Sequence, residues 1–273
     1  MSLWIFWLPA FAIGVVLARW AGRRQEGPWL ALAAFLGFLA RFLSGYEYIT
    51  ESVALAAAPI LYYSLRDAVG VGVFLKRAVI ATGASALALA LSLGILTLQI
   101  GQVTGSSGDA WKHIEFAIAR RIRGDRSQLP PVYSSSLQAE TNAVLAFYLV
   151  DAFDREAQEK PPALRWLLGR RHIDLIALVL AAALWVAVRA AWLPAERRSR
   201  ALGLVAATAG TLAGVLAWLI VFKAHSFIHW HVNPLLWHLG FFQLGAALVG
   251  LAVADALRLI AVTARPPASQ RGS

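Results

Sequence analysis

Four of the six histidines in this sequence lie within one short stretch, FKAHSFIHWHVNPLLWH, which spans residues 222–238. His225 and His229 are four residues apart and would share one face of a helix, and His231 follows two residues later. Imidazoles bind zinc or copper, whereas imidazoles close to Lys223 suit an anionic group such as a phosphate. The stretch has no acidic residue and the chain has no cysteine. The residues alone are typical of interfacial anchoring of the span ends, and they leave open a phosphate or substrate contact and a divalent metal site.

A second group of candidates is GYEYITE, residues 45–51, which contains two carboxylates. Glu51 comes directly before an apolar run, so capping of the helix that follows is its expected role. Glu47, with Tyr46 beside it, is the better candidate for a general base. An ion pair with Arg41 is the structural alternative for Glu47.

Other charged residues lie at or within apolar runs. Asp255 and Arg258 are three residues apart and are predicted to pair with each other on one helix. Asp174 comes near the start of another apolar run, where an interfacial role is expected. The sequence contains no Walker loop, no dinucleotide fingerprint, no HExxH and no GxSxG motif. Soluble-type phosphotransfer, zinc proteolysis and serine hydrolysis therefore lack support.

The elements that position these residues are predicted to be membrane spans. The chain has 273 residues, of which 59% are hydrophobic and only 15% are charged, whereas soluble domains have about 25% charged residues. We predict an all-α, polytopic transmembrane helix bundle of about seven spans with an extracytoplasmic helical insertion. The predicted spans cover residues 3–19, 28–43, 52–65, 76–98, 173–192, 201–222 and 239–262.

Basic residues set the predicted orientation. Arginines and lysines follow the first, third, fifth and seventh spans, and the positive-inside rule makes that side cytoplasmic. Residues 1–98 then hold spans one to four, residues 99–171 form an extracytoplasmic segment, and residues 172–273 hold spans five to seven with the histidine stretch on the outer side. The net charge of +10 indicates cytoplasmic anchoring of a multi-pass membrane protein. High Ala, Arg and Trp usage with no cysteine fits a bacterial inner membrane. We see no nucleic-acid motif.

The extracytoplasmic segment contains the amphipathic sequence DAWKHIEFAIARRIRG. Trp111, Ile114, Ile118 and Ile122 fall on one helical face, and Asp109 is predicted to cap the helix. A basic amphipathic helix of this kind lies in the membrane interface or packs on the rim of the bundle.

The stretch KAHSFIHWHVNPLLW, between two late spans, resembles late outer loops of the GT-C superfamily, polytopic membrane glycosyltransferases that use polyprenyl-phosphate sugars. GYEYITESVALAAAPILYY and LTLQIGQVTGSSGDAWKHIEFAIARRIRG are similar to other segments of such proteins. The resemblance covers the chain as the later part of a longer enzyme. It implies that a lipid phosphate leaves the anomeric carbon while a carboxylate activates the acceptor hydroxyl.

The resemblance assigns roles to individual residues. It implies that Lys223, His225 and His229 stabilise the phosphate with support from His231, and that Glu47 is the base. Tyr46 would join the substrate site. The acidic motif that the superfamily has after its first span is missing, because ARWAGRRQEG is basic and predicted to be cytoplasmic. A predicted outer N-terminus agrees with an upstream membrane subunit that supplies this motif.

Two other functions remain open from the sequence. A non-catalytic scaffold for envelope glycan assembly would use the outer loops to bind a partner. A haem or metal protein would need imidazoles from two helices at one depth, and His172 and His238 both begin spans on the outer side. The resemblance itself implies no cofactor.

Overall fold

The computed structural model describes residues 4–20, 27–45, 48–123, 171–222, 225–226 and 233–263. Within these ranges the chain forms eight helices and no sheet, which confirms the all-α prediction for this part of the protein. A helical turn, Asn233–Leu236, and a π-helical turn, Trp237–Phe241, lead directly into the last helix. The helices are α1 (Trp4–Trp20), α2 (Gly27–Leu43), α3 (Ile49–Arg66), α4 (Val71–Thr104), α5 (Ser107–Arg123), α6 (His172–Ala190), α7 (Ala195–Val221) and α8 (Phe242–Thr263).

Four segments are long and apolar enough to cross a membrane: α4, α6, α7 and Trp237–Ala261, which includes most of α8. Shorter apolar stretches occur in α1 and α2. The predicted third span, α3, is not among the four, because Glu51, Arg66 and two tyrosines lie within its 18 residues. Helix length and composition thus identify a multi-pass membrane protein, with four of the seven predicted spans present as long apolar helices.

Helix α3 is the central element of the bundle. It packs mainly against α7 and α1 and also contacts α4, while α2 packs on α4 and α6 on α8. Its buried face contains small residues, including Ala54, Ala56 and Ala58. A Cβ atom added to Gly14 of α1 would lie only 2.2 Å from the backbone oxygen of Ala56. Small residues on both helices therefore permit this close approach, as in many membrane bundles.

Contacts between helix termini define two ends of the bundle. At one end, which we call the histidine end, the residue before α3 contacts the start of α1 and the end of α7. His172 of α6 contacts His238 at the same end. At the other end, which we call the arginine end, Arg77 of α4 donates to Ser64 of α3. The predicted cytoplasmic side corresponds to the arginine end.

The amphipathic helix α5 follows α4 at the histidine end and packs against it. Ala110 and Ile114 are buried, whereas Trp111 and Ile118 of the predicted apolar face stay exposed. The prediction that Asp109 caps this helix is wrong. The hydroxyl of Ser106 accepts the hydrogen bond of the Asp109 backbone N–H at 3.2 Å, which is the bond that an N-cap residue makes.

Candidate functional site

Buried polar side chains collect at the histidine end of the bundle. They come from different parts of the chain, and each is at most 9% exposed. Because burial of polar groups costs free energy unless they are paired, such a collection indicates either a structural network or a binding site. The members are Arg41, Glu51, Ser52, His172, Thr211, His225, Ser226 and Asn233.

The guanidinium group of Arg41 belongs to a structural network. Its Nε donates to the hydroxyl of Ser52 at 3.1 Å, and its Nη1 donates to the carbonyl of Gly45 at 2.9 Å. Ser52 in turn donates to the carbonyl of Tyr48 at 3.1 Å. Arg41 also lies 5.4 Å from the centre of the Trp7 ring, within cation–π range. These contacts hold the α2–α3 connection against α1.

A row of aromatic rings connects this network to the histidine stretch. Tyr48 packs between Trp7 and Trp218, with centroid distances of 5.4 Å and 5.1 Å. Trp218 also contacts the ring of His225, which lies 5.7 Å away in an edge-to-face arrangement. Tyr48 has a left-handed backbone conformation with φ of 59°. That conformation is uncommon for a residue other than glycine, so the surrounding rings fix a strained turn directly before α3.

The carboxyl group of Glu51 lies in the interior of the bundle. A Cβ atom added to Gly240 would be 2.9 Å from Oε1, and one added to Gly214 would be 3.0 Å from Oε2. The absence of side chains at these two glycines therefore makes the space that the carboxyl occupies. Thr211 lies beside Gly240 and is also fully buried.

The expected role of Glu51 as a helix cap is wrong. Tyr48 stands at the N-cap position of α3, with no capping bond from a side chain, and Glu51 points inward. Neither carboxyl oxygen has a hydrogen-bond partner among the described residues. An ionised carboxylate in such a place costs several kcal/mol unless donors or a cation reach it. A buried polar group of this kind is a candidate for a functional role.

Asn233 joins the histidine stretch to the end of α7. Its Nδ2 donates to the carbonyl of Ser226 at 3.0 Å, and the Ser226 N–H donates to the carbonyl of Phe222 at 2.9 Å. Within the described part of the chain, Asn233 Oδ1 and the Ser226 hydroxyl have no hydrogen-bond partner. They add one acceptor and one hydroxyl to the buried polar groups at this end.

Two histidines from different helices meet beside this cluster. The rings of His172 and His238 have a centroid distance of 6.0 Å and an interplanar angle of 73°. His172 is almost fully buried, and His238 also contacts Phe242. The sequence allows a pair of His172 and His238 because both begin spans on the predicted outer side. The structure brings the two rings into contact, and their position on the outer side stays a prediction.

The predicted pair of Asp255 and Arg258 is wrong. Asp255 instead accepts from Nε of Arg189 in α6 at 2.8 Å and from the indole N–H of Trp185 at 3.2 Å. These bonds of Asp255 connect α8 to α6.

Asp174 has a local role. It pairs with Arg171 at 3.0 Å at the start of α6, and it completes a capping box there.

Of the predicted site residues, only His225 lies in the part of the chain that the structure describes. Tyr46, Glu47, Lys223, His229 and His231 lie outside the described residues. Within the described ranges, no group of three or more histidine or acidic side chains could hold a metal ion.

Sequence reasoning did not give Glu51, Ser226 or Thr211 a place in the site. Glu51 stands directly before an apolar run, where a capping carboxylate looks the same in sequence. Its burial results from Gly214 and Gly240, which are more than 160 residues further along the chain. The sequence around these two glycines does not show that a carboxyl group packs against them.

No protein-family model matches the chain, and no curated protein or solved structure matches it either.

Proposed function

We propose that this protein is a membrane glycosyltransferase of envelope glycan assembly, which takes its sugar from a polyprenyl phosphate at the histidine end. The observation that carries the proposal is the Glu51 carboxyl, which is fully buried and has no hydrogen-bond partner among the described residues. Such a group is suited to take a proton or to accept a hydrogen bond from a substrate hydroxyl. The resemblance to the GT-C superfamily supplies the substrate class.

The proposed reaction needs only acid–base and electrostatic groups. The acceptor O–H attacks the anomeric carbon, and its proton passes to a carboxylate. The bond from the anomeric carbon to the phosphate oxygen breaks, and the lipid phosphate leaves with the electron pair. Developing charge on the phosphate needs cationic or hydrogen-bonding groups.

Glu51 is our choice for the base, in place of Glu47. Glu51 has no donor among the described residues, whereas the side-chain environment of Glu47 lies outside them. His225 remains assigned to the phosphate, and its contact with Trp218 holds it close to the end of α7. Lys223, His229, His231 and Tyr46 keep their proposed substrate contacts. An upstream membrane subunit and an inner-membrane location belong to the same proposal.

The experiment compares Glu51→Gln with Glu47→Gln. Membranes containing each variant receive a panel of polyprenyl-phosphate hexoses, and release of polyprenyl phosphate is measured. We expect Glu51→Gln to lower the rate by about 10² or more, a typical contribution of a general base, and Glu47→Gln to lower it less. The reverse order would assign the base to Glu47. Release that neither variant changes would remove both carboxylates from the reaction and favour a non-catalytic scaffold.

The contact of His172 with His238 favours a second candidate function, the binding of haem or a metal ion. Two imidazoles from different helices lie 6.0 Å apart between ring centroids, a separation that one metal ion with two nitrogen ligands can bridge. An absorption spectrum of the purified protein tests this candidate. A Soret band or bound metal that is lost in His172→Ala, but kept in the exposed His113→Ala, would support it. Loss in neither variant would reject this pair as the ligands.

A further inference from the structure

A large cavity in the described part of the protein lies at the arginine end, away from the polar cluster. Its volume is about 610 Å³, within the size range of sites for small organic ligands. Helices α1, α3, α6, α7 and α8 contribute to its walls. On α8 the lining extends from Leu244 to Arg258, which corresponds to roughly 20 Å along the helix axis. The cavity is therefore elongated along the bundle.

The inner walls of the cavity are apolar. Phe11, Pro59, Leu204, Leu244 and Leu251 line it, together with alanines from α3, α7 and α8. Tyr62 and Tyr63 also line the cavity and offer hydroxyl groups, but most of the lining surface is apolar. Hydrocarbon is therefore the natural filling for this space.

The mouth of the same cavity is basic. Four arginines line it, from α6, α7 and α8, and Asp255 is the one acidic residue among the lining residues. Asp255 already accepts hydrogen bonds from Arg189 and Trp185. Arg200 pairs with Glu196 on its own helix. The charge of Arg258 also acts on Asp255. Within the described ranges, however, Arg197 and Arg258 are exposed and form no direct ion pair, so both guanidinium groups can contact a ligand.

Tryptophans lie at the mouth of the cavity. Trp185, which lines it, is 41% exposed, and Trp192 is 67% exposed. Arg189 lies 5.7 Å from the centre of the Trp192 ring. Tryptophan and arginine at the end of membrane helices are typical of the membrane–water interface. The arginines at the mouth match the charged headgroup of a lipid, and the apolar walls beyond the mouth match its acyl chain.

We propose that this cavity binds an anionic phospholipid, whose acyl chain lies between α3, α7 and α8 and whose phosphate contacts Arg197 and Arg258. Arginine binds phosphate through paired N–H donors, which gives both charge and geometry. The apolar walls disfavour a free phosphate ion, and the excess of arginine over acidic residues disfavours a zwitterionic lipid. The site is at the opposite end of the bundle from the proposed transferase site and is independent of it.

Native mass spectrometry of the full chain in detergent tests the proposal. The probes are phosphatidylglycerol and phosphatidylcholine with the same acyl chains. We expect the protein to retain phosphatidylglycerol at least tenfold more tightly. Arg197→Gln and Arg258→Gln should each weaken its retention by about fivefold and weaken the retention of phosphatidylcholine less, because the choline cation already offsets the charge of that phosphate. Arg198→Gln is the matched control, because this neighbouring exposed arginine does not line the cavity.

A second variant tests the apolar walls without a change of charge. Ala247→Trp fills the cavity from an exposed position of α8 and should lower retention of both lipids. Millimolar glycerol 1-phosphate should not displace phosphatidylglycerol, because it has no acyl chain. Equal retention of the two lipids, equal effects of Arg198→Gln and Arg197→Gln, or displacement by glycerol 1-phosphate would each overturn the proposal.

Discussion

At the scale of residues, Glu51 and Ser52 are neighbours with opposite situations. Both are fully buried at the start of α3. Ser52 accepts from Arg41 and donates to the Tyr48 carbonyl, whereas the Glu51 carboxyl has no partner among the described residues. Ser52 therefore contributes to the stability of the fold, whereas the Glu51 carboxyl adds no hydrogen bond to it within the described residues. This difference is the reason for proposing a functional role for Glu51 and a structural one for Ser52.

Substitution of the two neighbours should change stability by different amounts. Glu51→Gln should change the melting temperature little, because one buried polar group without partners replaces another of similar shape. Ser52→Ala should lower stability by about 1–3 kcal/mol, because Arg41 Nε loses its acceptor. Thermal unfolding of the purified protein in detergent measures both. A large loss of stability in Glu51→Gln would mean that the carboxyl has a structural partner.

The ion pair between Asp255 and Arg189 gives a further prediction. Asp255→Asn should destabilise the protein by about 1 kcal/mol, since the pair is partly buried and joins α6 to α8. The control is Glu196→Gln, which removes an exposed pair within α7 and should change stability by less than about 0.5 kcal/mol. Unfolding midpoints in the same detergent give the comparison. Equal midpoints for the two variants would contradict a bracing role for Asp255.

Local sequence could not predict the partner of Asp255. Arg258 is the basic residue nearest to Asp255 along α8, yet the side chain that pairs with Asp255 is Arg189, 66 residues earlier. The preference for i,i+3 pairs describes an isolated helix. Once α6 packs against α8, a guanidinium and an indole from the facing helix reach Asp255 instead.

At the scale of elements, the close approach of α1 to α3 depends on Gly14. A Cβ at this position would lie 2.2 Å from the Ala56 carbonyl oxygen, so the two backbones would have to separate. Hydropathy predicts that both segments are apolar helices, but their partner and their separation follow from which small residues face each other. The sequence contains many glycines and alanines, and it does not show which of them are at this contact.

Gly14→Ala should destabilise the protein by about 1–3 kcal/mol through overpacking between α1 and α3. Gly83→Ala is the matched control in α4, where an added Cβ meets no atom within 4 Å. That control should be neutral or stabilising by up to about 1 kcal/mol, because alanine favours helix more than glycine does. Thermal unfolding of both variants decides the matter. Similar effects of the two substitutions would contradict the close approach.

At the scale of the whole molecule, the two ends of the bundle differ in chemistry. Buried polar groups and histidines lie at one end, and arginines surround a cavity at the other. Composition and the distribution of basic residues already predict this polarity, because the positive-inside rule depends only on loop charges. The contact of Glu51 and Thr211 around Gly240 could not be predicted, since it depends on which helices pack against each other.

The orientation can be measured directly, because the chain contains no cysteine. Ser44→Cys lies at the histidine end, and Ala191→Cys lies in the turn between α6 and α7 at the arginine end. We expect an impermeant maleimide to label Ser44→Cys in intact cells and to label Ala191→Cys only after permeabilisation. The reverse pattern would contradict the predicted orientation and would put the histidine end, with the proposed transferase site, in the cytoplasm.

The measurement that tests the central claim most directly is the binding of polyprenyl phosphate to purified protein with the two substitutions His225→Ala and His229→Ala. The exposed His113→Ala variant serves as the control for the loss of a histidine. We predict that the double variant keeps its melting temperature and loses binding by at least tenfold, while the control binds like the parent protein. Unchanged binding in the double variant, or no binding in the parent protein, would contradict a lipid-phosphate site at the histidine end.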